Sequence, residues 1–427
     1  MLAVSSIWPT FLIFGSLVWF AHFLSKVETF GFGAIVKPGD KNLNVPLESL
    51  RGILALSVIF HHAELTFLYF TTGGAWGLFS SRFYELMGVV PVTLFFFLSG
   101  YLFWNKLIND DGLKSVGAFL VKRMKRLLPA YWVSVAAVFL VVGAGTRFQM
   151  LVEPQALLTS AWHWISVGIP FAPPKINNFS ETGVINAAVV WTLRIEILFY
   201  LSLPLLAPLA KGHRVWILLA ATVFVNSWLM RHSGLKHIHS QVVQEIYGSV
   251  LEFLFYFGRG FIFGITAAHL RRMIPESILP VVRGPWFAVL ALFIMVCVFW
   301  GVEPISPDKR YMVWRSALLF IPFLIIALEN DLFGILSTKP LIYLGKISYS
   351  VYLIHGIVLY LISRWINIHI PFESISPIQF WIFVVISGFS TVWLSSLLFS
   401  RVEYPMMNGR RPISESSSGE SLPLPLR

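Results

Sequence analysis

The sequence predicts an all-α fold, a polytopic membrane helix bundle with ten core transmembrane helices and an extra N-terminal span. Three observations support this prediction. The 427 residues are 56% hydrophobic and only 12% charged, whereas a soluble domain has about 25% charged residues. Apolar runs of membrane-spanning length recur along the whole chain. Positive charges are also distributed unevenly between the segments that connect these runs.

Each of eleven apolar runs can form a helix of about 20 residues, the length that crosses a bilayer. They cover residues 7–24, 50–70, 88–104, 129–145, 188–209, 214–230, 249–269, 285–302, 315–329, 343–363 and 378–400. The first run lacks the basic start of a signal peptide, so we expect a retained span, with cleavage as the alternative. Segment 153–170 is short and broken by Pro170, and it predicts a re-entrant or interfacial helix.

The lysines and arginines define an orientation with the N-terminus outside. With eleven spans, 21 of the 32 basic residues fall on one side, nine on the other, and Arg194 and Arg259 within the membrane. The positive-inside rule makes the richer side cytoplasmic. The net charge of +11 is spread over short clusters between apolar runs, a pattern that favours topology signals and anionic lipid contact over nucleic acid.

The chain divides into three predicted segments. Residues 1–45 form an apolar segment and a cytoplasmic linker, residues 46–411 a single membrane domain, and residues 412–427 a Ser/Pro-rich tail that we expect to be disordered on the cytoplasmic side. The single cysteine, Cys297, excludes an internal disulfide and lies in an apolar run, where we expect a core residue.

Arg51 and His62 interrupt an apolar run eleven residues apart. Eleven steps of about 100° bring both side chains to one helix face, about 16 Å apart along the axis. Arg51 then marks the cytoplasmic edge of the membrane and His62 lies near its middle, where an ionisable group usually has a function. His61 is rotated away from Arg51 and is the weaker candidate. A purely interhelical hydrogen bond of His62 is the alternative.

Two further segments carry charge in apolar surroundings. Arg123 and Arg126 are three residues apart and share a face; they predict either a positive-inside anchor or a phosphate clamp, since guanidinium groups bind phosphate oxygens bidentately. Arg194 and Glu196 point to nearly opposite sides of a helix and therefore need separate partners. Glu196 is a candidate for orienting a histidine or binding a hydroxyl, and an interhelical ion pair is the alternative.

The remaining polar patterns predict cavity lining or packing. Ser348, Tyr352 and His355 follow helical spacing on one face, which favours a cavity over interhelical hydrogen bonds. Glu252 and Arg259 share a face and predict a mutual or relayed ion pair. The nearby G-x-x-x-G pattern is typical of close helix packing. Phosphate-loop, zinc-protease and serine-hydrolase motifs are absent from the sequence, and the histidine spacing predicts no metal site.

Six segments together resemble the membrane-bound acyltransferase family 3, integral membrane O-acyltransferases that modify glycans and other small acceptors. In family order they read LESLRGILALSVIFHH, PVTLFFFLSGYLF, VKRMKRLLPAYW, WTLRIEILFYL, LGKISYSVYLIHG and VEYPMMNGRR. The resemblance covers roughly residues 46–411. The chain departs from the family in its additional first span, in Arg194 and Ile197 beside the glutamate, and in lacking an appended hydrolase-like domain.

The resemblance assigns roles to the same residues. It implies a catalytic group of His62, Arg51 and Glu196, and a donor-binding group of Arg123, Arg126 and Arg51. It also implies a substrate-binding or cavity group, which comprises Trp191, Ser348, Tyr349, Tyr352 and His355.

The implied reaction transfers an acyl group, most often acetyl, from cytosolic acyl-CoA to a hydroxyl of a glycan or other acceptor. His62 would serve as general base, acyl-CoA as co-substrate with no permanently bound cofactor, and the bacterial inner membrane as the location. The residues alone leave two alternatives open: a proton-coupled transporter or flippase of a glycan or lipid precursor, and a membrane scaffold or sensor.

Overall fold

A computed structural model describes most of the chain as α-helix, and no β-strand occurs among the residues that it describes. Those residues are 3–28, 32–33, 35, 44–74, 76–77, 79–109, 116–169, 172–211, 214–231, 241–301 and 309–409. The predicted cytoplasmic tail, residues 412–427, and most of the predicted linker lie outside the described residues. The all-α prediction is confirmed.

The helices follow one another with short connections. In chain order they are α1 (Trp8–Leu24), α2 (Val45–Thr71), α3 (Arg82–Asn109), α4 (Val116–Gly145), α5 (Pro154–Ile165), α6 (Thr182–Ile185), α7 (Val190–Leu206), α8 (Val215–Arg231) and α9 (Gln241–Tyr256). The second half contains α10 (Ile262–Met273), α11 (Leu279–Val282), α12 (Pro285–Trp300), α13 (Lys309–Ala327), α14 (Lys339–Lys346), α15 (Ser348–His369), α16 (Pro377–Leu398) and α17 (Tyr404–Asn408).

The helices include enough long apolar segments for a multi-pass membrane protein. Within the described residues, seven helical stretches have the length and hydropathy to cross a bilayer, and four shorter apolar helices accompany them. Each of the eleven predicted apolar runs falls on one of these stretches. The number of ten core spans stays a prediction, because the shorter helices fall below the length that a bilayer crossing needs.

Two predicted runs are interrupted in the structure. The run 343–363 breaks at Ile347, where the backbone leaves helical geometry and separates α14 from α15. The run 249–269 contains a π-helical turn, Phe257–Phe261, between α9 and α10. Polar residues or glycines stand at both breaks, with Lys346 and Ser348 beside Ile347 and Arg259 between two glycines in the π-helical turn.

Close backbone contacts hold the core helices together at glycines. Gly345 of α14 lies against the backbone of α2, so that a Cβ at this position would be 2.0 Å from the Glu48 carbonyl oxygen. Gly264 of α10 lies equally close to the Phe97 carbonyl of α3. Gly260 in the same G-x-x-x-G pattern faces the Phe96 side chain, so the structure confirms the predicted packing role.

Three peripheral features complete the bundle. The first helix packs into it through Leu17 and Ala21, which are fully buried. Segment 154–165 forms the short helix α5, with Leu158 and Trp162 exposed. Cys297 is exposed on α12, so its predicted core position is wrong. Because α12 is apolar on all sides, we expect the Cys297 side chain to face the hydrocarbon of the membrane.

Candidate functional site

Helix α2 carries two of the predicted site residues in a fixed relation. The helix begins after Asn44, whose side-chain oxygen accepts a hydrogen bond from the Leu47 amide at 3.2 Å. From this capped end, uninterrupted helix runs past Arg51 and His62, so the two side chains keep the spacing expected from helical geometry. Arg51 donates to the Glu48 carboxylate at 3.4 Å, which orients it near the start of the helix.

Arg51 lines an inner cavity of about 110 Å³ between α2, α3, α4, α7 and α15. Six other predicted site residues line the same cavity: Arg123, Arg126, Glu196, Ser348, Tyr349 and Tyr352. The structure therefore brings together side chains that are up to about 300 positions apart in the sequence. The other lining residues include Ser99, Thr192 and Tyr200, which the sequence analysis did not identify.

Three arginines converge on this inner cavity from two helices. The Arg123 guanidinium lies 4.6 Å from the centre of the Phe103 ring, a cation–π distance, and its Nε is buried with no hydrogen-bond partner in the described part of the chain. Arg123 experiences repulsion from both Arg51 and Arg126. An anionic ligand such as a phosphate in the inner cavity would relieve this repulsion.

A buried glutamate lies near the arginine cluster and attracts one of its members. Glu403 is fully buried, accepts a hydrogen bond from Ser350 Oγ at 2.9 Å, and attracts Arg126. Its second carboxylate oxygen has no hydrogen-bond partner among the described residues. Glu403 belongs to the VEYP motif, but its place beside Arg126 depends on a contact between distant helices. An acidic residue just beyond the last apolar run was the available sequence signal.

Glu196 has the separate partners that its position opposite Arg194 required. Its carboxylate accepts hydrogen bonds from Ser99 Oγ at 3.2 Å and from the hydroxyl of Tyr200. Arg194 instead forms an ion pair with Glu252, whereas the guanidinium of Arg259 lies 3.4 Å above the Phe255 ring. Tyr200 follows Glu196 by four residues, so helical spacing could have identified this pair.

An outer cavity of about 220 Å³ contains His62. Its lining includes His61, His62, Trp191, Tyr256 and Tyr352. The predicted site residues are thus divided, since Glu196 lies in the inner cavity and His62 in the outer one. His61 lines the outer cavity as well, and its Nδ1 is 2.8 Å from the Tyr84 carbonyl oxygen.

Aromatic rings surround the imidazole of His62. Its centre is 5.0 Å from that of His355, 4.6 Å from that of His61 and 6.1 Å from the nearly parallel ring of Trp76. The Nδ1 atom of His62 is buried and has no hydrogen-bond partner among the described residues. His355 is fully buried, with Nδ1 directed to the Val351 carbonyl at 3.1 Å. Of the predicted site residues on other helices, His355 contacts the His62 ring, whereas Glu196 lies in the inner cavity.

The inner and outer cavities share a boundary formed by Val92, Phe96 and Tyr352, which line both. We call this boundary the junction. The Tyr352 hydroxyl is hydrogen-bonded to Thr192 Oγ1, which holds its ring in place. Nearby, the Tyr349 hydroxyl donates to the Leu127 carbonyl at 2.8 Å and ties α15 to α4. The junction is where groups from the two cavities can meet.

The two cavities lie toward opposite ends of the helices. Arg51 and the arginines of α4 are in the first half of their helices, whereas the inner cavity extends along α7 to Tyr200 in its second half. The outer cavity is lined by the beginnings of α3 and α7, at Gly88 and Trp191. Because neighbouring spans run antiparallel, the first half of one helix lies at the same end of the bundle as the second half of the next.

Comparison with known proteins identifies the family. The model of acyltransferase family 3, described as an acyltransferase domain, matches residues 44–400. Nodulation protein 10 of Rhizobium leguminosarum bv. viciae is 24% identical over 395 residues, which cover 84% of this chain and 92% of that protein. No solved structure is similar enough to match.

Two other relatives have names that refer to acyl transfer. A Staphylococcus aureus protein named "Putative O-acetyltransferase" is 24% identical over 77% of this chain, and the chain spans about half (54%) of that protein's length. The "Putative membrane-bound transacylase BcsY" of Komagataeibacter xylinus is 26% identical, over 74% of this chain and 72% of the relative. The chain therefore belongs to acyltransferase family 3 and is a multi-pass membrane O-acyltransferase.

Proposed function

We propose that this protein transfers an acetyl group, or another short acyl group, from cytosolic acyl-CoA to a hydroxyl of a glycan or other small acceptor. The observation that carries the proposal is the junction, at which an arginine-lined cavity meets a histidine-lined one. Acyl transfer needs separate places for an anionic donor and a hydroxyl acceptor, with the reacting atoms in contact. Relatives named for acetyl or acyl transfer support the same reaction.

The inner cavity suits the phosphate end of acyl-CoA. Arg51, Arg123 and Arg126 provide guanidinium donors in a space where their charges repel one another. The predicted topology makes this end cytoplasmic, the compartment that supplies acyl-CoA. The distance of about 16 Å along α2 from Arg51 to His62 would be covered by the thin pantetheine arm, which carries the thioester through the junction.

In the proposed reaction, His62 acts as general base. A nitrogen of its imidazole takes the proton of the acceptor hydroxyl while the hydroxyl oxygen attacks the thioester carbonyl. A carbon–oxygen bond forms, the carbon–sulfur bond breaks, and the CoA thiolate leaves and takes up the proton. His355 and Trp76 would hold the imidazole between their rings. Direct transfer requires no acyl-enzyme intermediate.

Acetyl transfer by the purified protein tests the proposal. Labelled acetyl-CoA is incubated with protein in lipid nanodiscs and with hydroxyl acceptors, and labelled product and free CoA are measured. We expect His62→Gln to lose about 10²–10⁴-fold in rate, the usual contribution of a general base. His369→Gln is a matched control, because His369 is exposed and its Nδ1 lies at hydrogen-bond distance from the Trp365 carbonyl of its own helix. Full activity of His62→Gln would eliminate the mechanism.

The donor site has its own experiment. Arg123→Ala and Arg126→Ala should raise the KM for acyl-CoA by about tenfold or more, since each removes a charge-assisted contact worth about 1.5–3 kcal/mol. Lys125→Ala is the control, because Lys125 lies between them in sequence but is exposed. Transport of a labelled acceptor across vesicles without release of CoA would instead support the transporter alternative.

The protein is a multi-pass membrane protein, and we propose that its membrane is the bacterial inner membrane. The three relatives named above come from bacteria. With the arginine-lined cavity toward the cytoplasm, the outer cavity would receive acceptors from the opposite side of the membrane. Fractionation of a producing bacterium, followed by detection of the protein in inner-membrane vesicles, checks this location.

A further inference from the structure

One oxygen of the Glu196 carboxylate remains open to the inner cavity. The other, Oε1, accepts hydrogen bonds from Ser99 Oγ at 3.2 Å and from the Tyr200 hydroxyl. Oε2 makes no hydrogen bond within the described part of the chain, yet it keeps accessible surface. Glu196 is half-buried and lines this cavity. The carboxylate is therefore fixed through one oxygen and can accept a hydrogen bond from a ligand through the other.

Glu196 lies between the junction and the arginines of the inner cavity. It follows Thr192 by four residues on α7, so the two residues share a face and are about 6 Å apart along the axis. Thr192 is hydrogen-bonded to Tyr352 of the junction. Tyr200 is one further turn along α7 and interacts electrostatically with Arg123. The pantetheine arm of a donor whose phosphates are bound at the arginines must therefore pass Glu196 before its thioester reaches the junction.

The chemistry of the pantetheine arm suits this position. The arm alternates apolar methylene segments with secondary amides, whose N–H groups donate hydrogen bonds. Phe95, Leu98 and Leu193 give the cavity apolar walls for the methylenes. The amide nearest the thioester is four bonds, each about 1.5 Å long, from the acyl carbon. This reach is similar to the distance of about 6 Å along α7 between Thr192 and Glu196, so a thioester at the junction brings the amide to the carboxylate.

We infer that Glu196 binds the N–H of the pantetheine amide nearest the thioester, and thus holds the donor instead of orienting His62. The inference rests on the proposed function and specifies how the donor is held between its phosphates and its thioester. Ser99 and Tyr200 position the carboxylate through Oε1, and Oε2 accepts the amide N–H in a charge-assisted hydrogen bond. A donor anchored here presents its thioester at the junction, where the outer cavity begins.

The experiment compares two donors that differ in a single N–H group. One is acetyl-CoA, and the other is an analogue in which the amide nearest the thioester is replaced by an ester. The Kd of each is measured by titration calorimetry with the full-length protein in lipid nanodiscs, so no acceptor is needed. We expect acetyl-CoA to bind about ten- to a hundredfold more tightly, the contribution of a hydrogen bond to a charged group.

Two variants assign this preference to Glu196. Glu196→Ala should weaken binding of acetyl-CoA to the level of the ester analogue, and it should not weaken binding of the analogue. Glu196→Gln keeps the shape of the side chain and decides the question if Glu196→Ala fails to fold. When its carbonyl oxygen accepts from Ser99 and Tyr200, its NH₂ group faces the cavity, and this group cannot accept the amide N–H. The two donors should then bind alike.

Control variants change the surroundings of the donor without touching the arm. Glu403→Gln is the matched control, because Glu403 is a buried carboxylate beside Arg126 that does not line the cavity. It should leave the ratio of the two Kd values as in the wild type. Arg123→Ala removes a phosphate contact and should weaken both donors by the same factor. A loss of structure would likewise affect both donors, so the ratio distinguishes a contact with the amide from a structural effect.

The outcomes separate this inference from the proposed function. Saturable binding of both donors to the wild type with equal Kd would overturn the role of Glu196 and leave acyl transfer from acyl-CoA intact. A preference for acetyl-CoA that persists in both Glu196 variants would overturn it as well. Absence of saturable acetyl-CoA binding to the wild-type protein would refute the proposed function, and this inference with it.

Discussion

Replacing Gly345 by alanine should impair donor binding through a backbone displacement. The added Cβ would lie 2.0 Å from the Glu48 carbonyl oxygen, whereas carbon and oxygen atoms in contact are about 3.3 Å apart. Helices α14 and α2 must therefore separate by ~1.3 Å at this point. Arg51 is three residues beyond Glu48 on the same helix, so it moves with the displaced turn and its position relative to the arginines of α4 changes.

The expected magnitude follows from this displacement. Misplacement of a site by about 1 Å can cost about 10²-fold in rate, and forcing an extra carbon into a packed interface costs about 1–3 kcal/mol of stability. Gly345→Ala should therefore lower kcat/KM for acyl-CoA by about two orders of magnitude, chiefly by raising KM. It should also lower the thermal unfolding temperature in nanodiscs.

Two further glycines form a graded series. A Cβ on Gly52, at the same interface, would lie 2.8 Å from the Leu341 carbonyl oxygen, so Gly52→Ala requires only ~0.5 Å of movement. A Cβ on Gly15 has no neighbour within 4 Å, so Gly15→Ala should keep full activity. Wild-type kcat/KM in a folded Gly345→Ala protein, or an equal loss in Gly15→Ala, would show that the contact between α14 and α2 does not position Arg51.

Substitutions at three other positions test individual contacts. Glu403→Gln should raise the KM for acyl-CoA several-fold with kcat nearly unchanged, because it weakens the attraction between Glu403 and Arg126. Glu403→Asp keeps the charge and should restore much of the affinity. An unchanged KM for Glu403→Gln would exclude this positioning role. Tyr352→Phe should keep most activity because the ring at the junction remains. Tyr352→Trp should block access of the thioester and lower kcat strongly. Equal rates for the two variants would show that the thioester does not pass through the junction. Glu252→Gln should destabilise the protein by about 1–3 kcal/mol, because the buried Arg194 loses its counter-charge while Glu252 is partly exposed. Denaturant unfolding of wild type and variant measures this difference in stability. Unchanged stability would contradict a structural role for the ion pair.

Helical periodicity explains which parts of the site could be predicted. Arg51 and His62 share a face because eleven residues are close to three turns, and the separate partners of Arg194 and Glu196 follow from the same rule. The apolar runs were predictable because a bilayer requires about 20 apolar residues per helix, and each run is helical in the structure. These features depend on residues within one helix.

Contacts between distant helices could not be predicted in the same way. The pairing of His62 with His355 depends on how α15 is placed against α2, almost 300 residues earlier in the chain. The position of Glu403 behind Arg126 depends similarly on the contact between α4 and the π-helical turn at 399–403. The break at Ile347 separates α15 from α14, and the contact of Gly345 with α2 joins residues almost 300 positions apart. Packing decides these features.

The placement of α15 connects the two halves of the proposed reaction. Tyr352, which forms part of the junction, and His355, which packs on His62, are three residues apart on this helix and therefore move together. A shift of α15 relative to α2 would alter the width of the junction and the surroundings of the imidazole at the same time. Access of the thioester and positioning of the base are therefore not independent. Substitutions that loosen the contact between α15 and α2 should change kcat more than the KM for acyl-CoA or the KM for the acceptor.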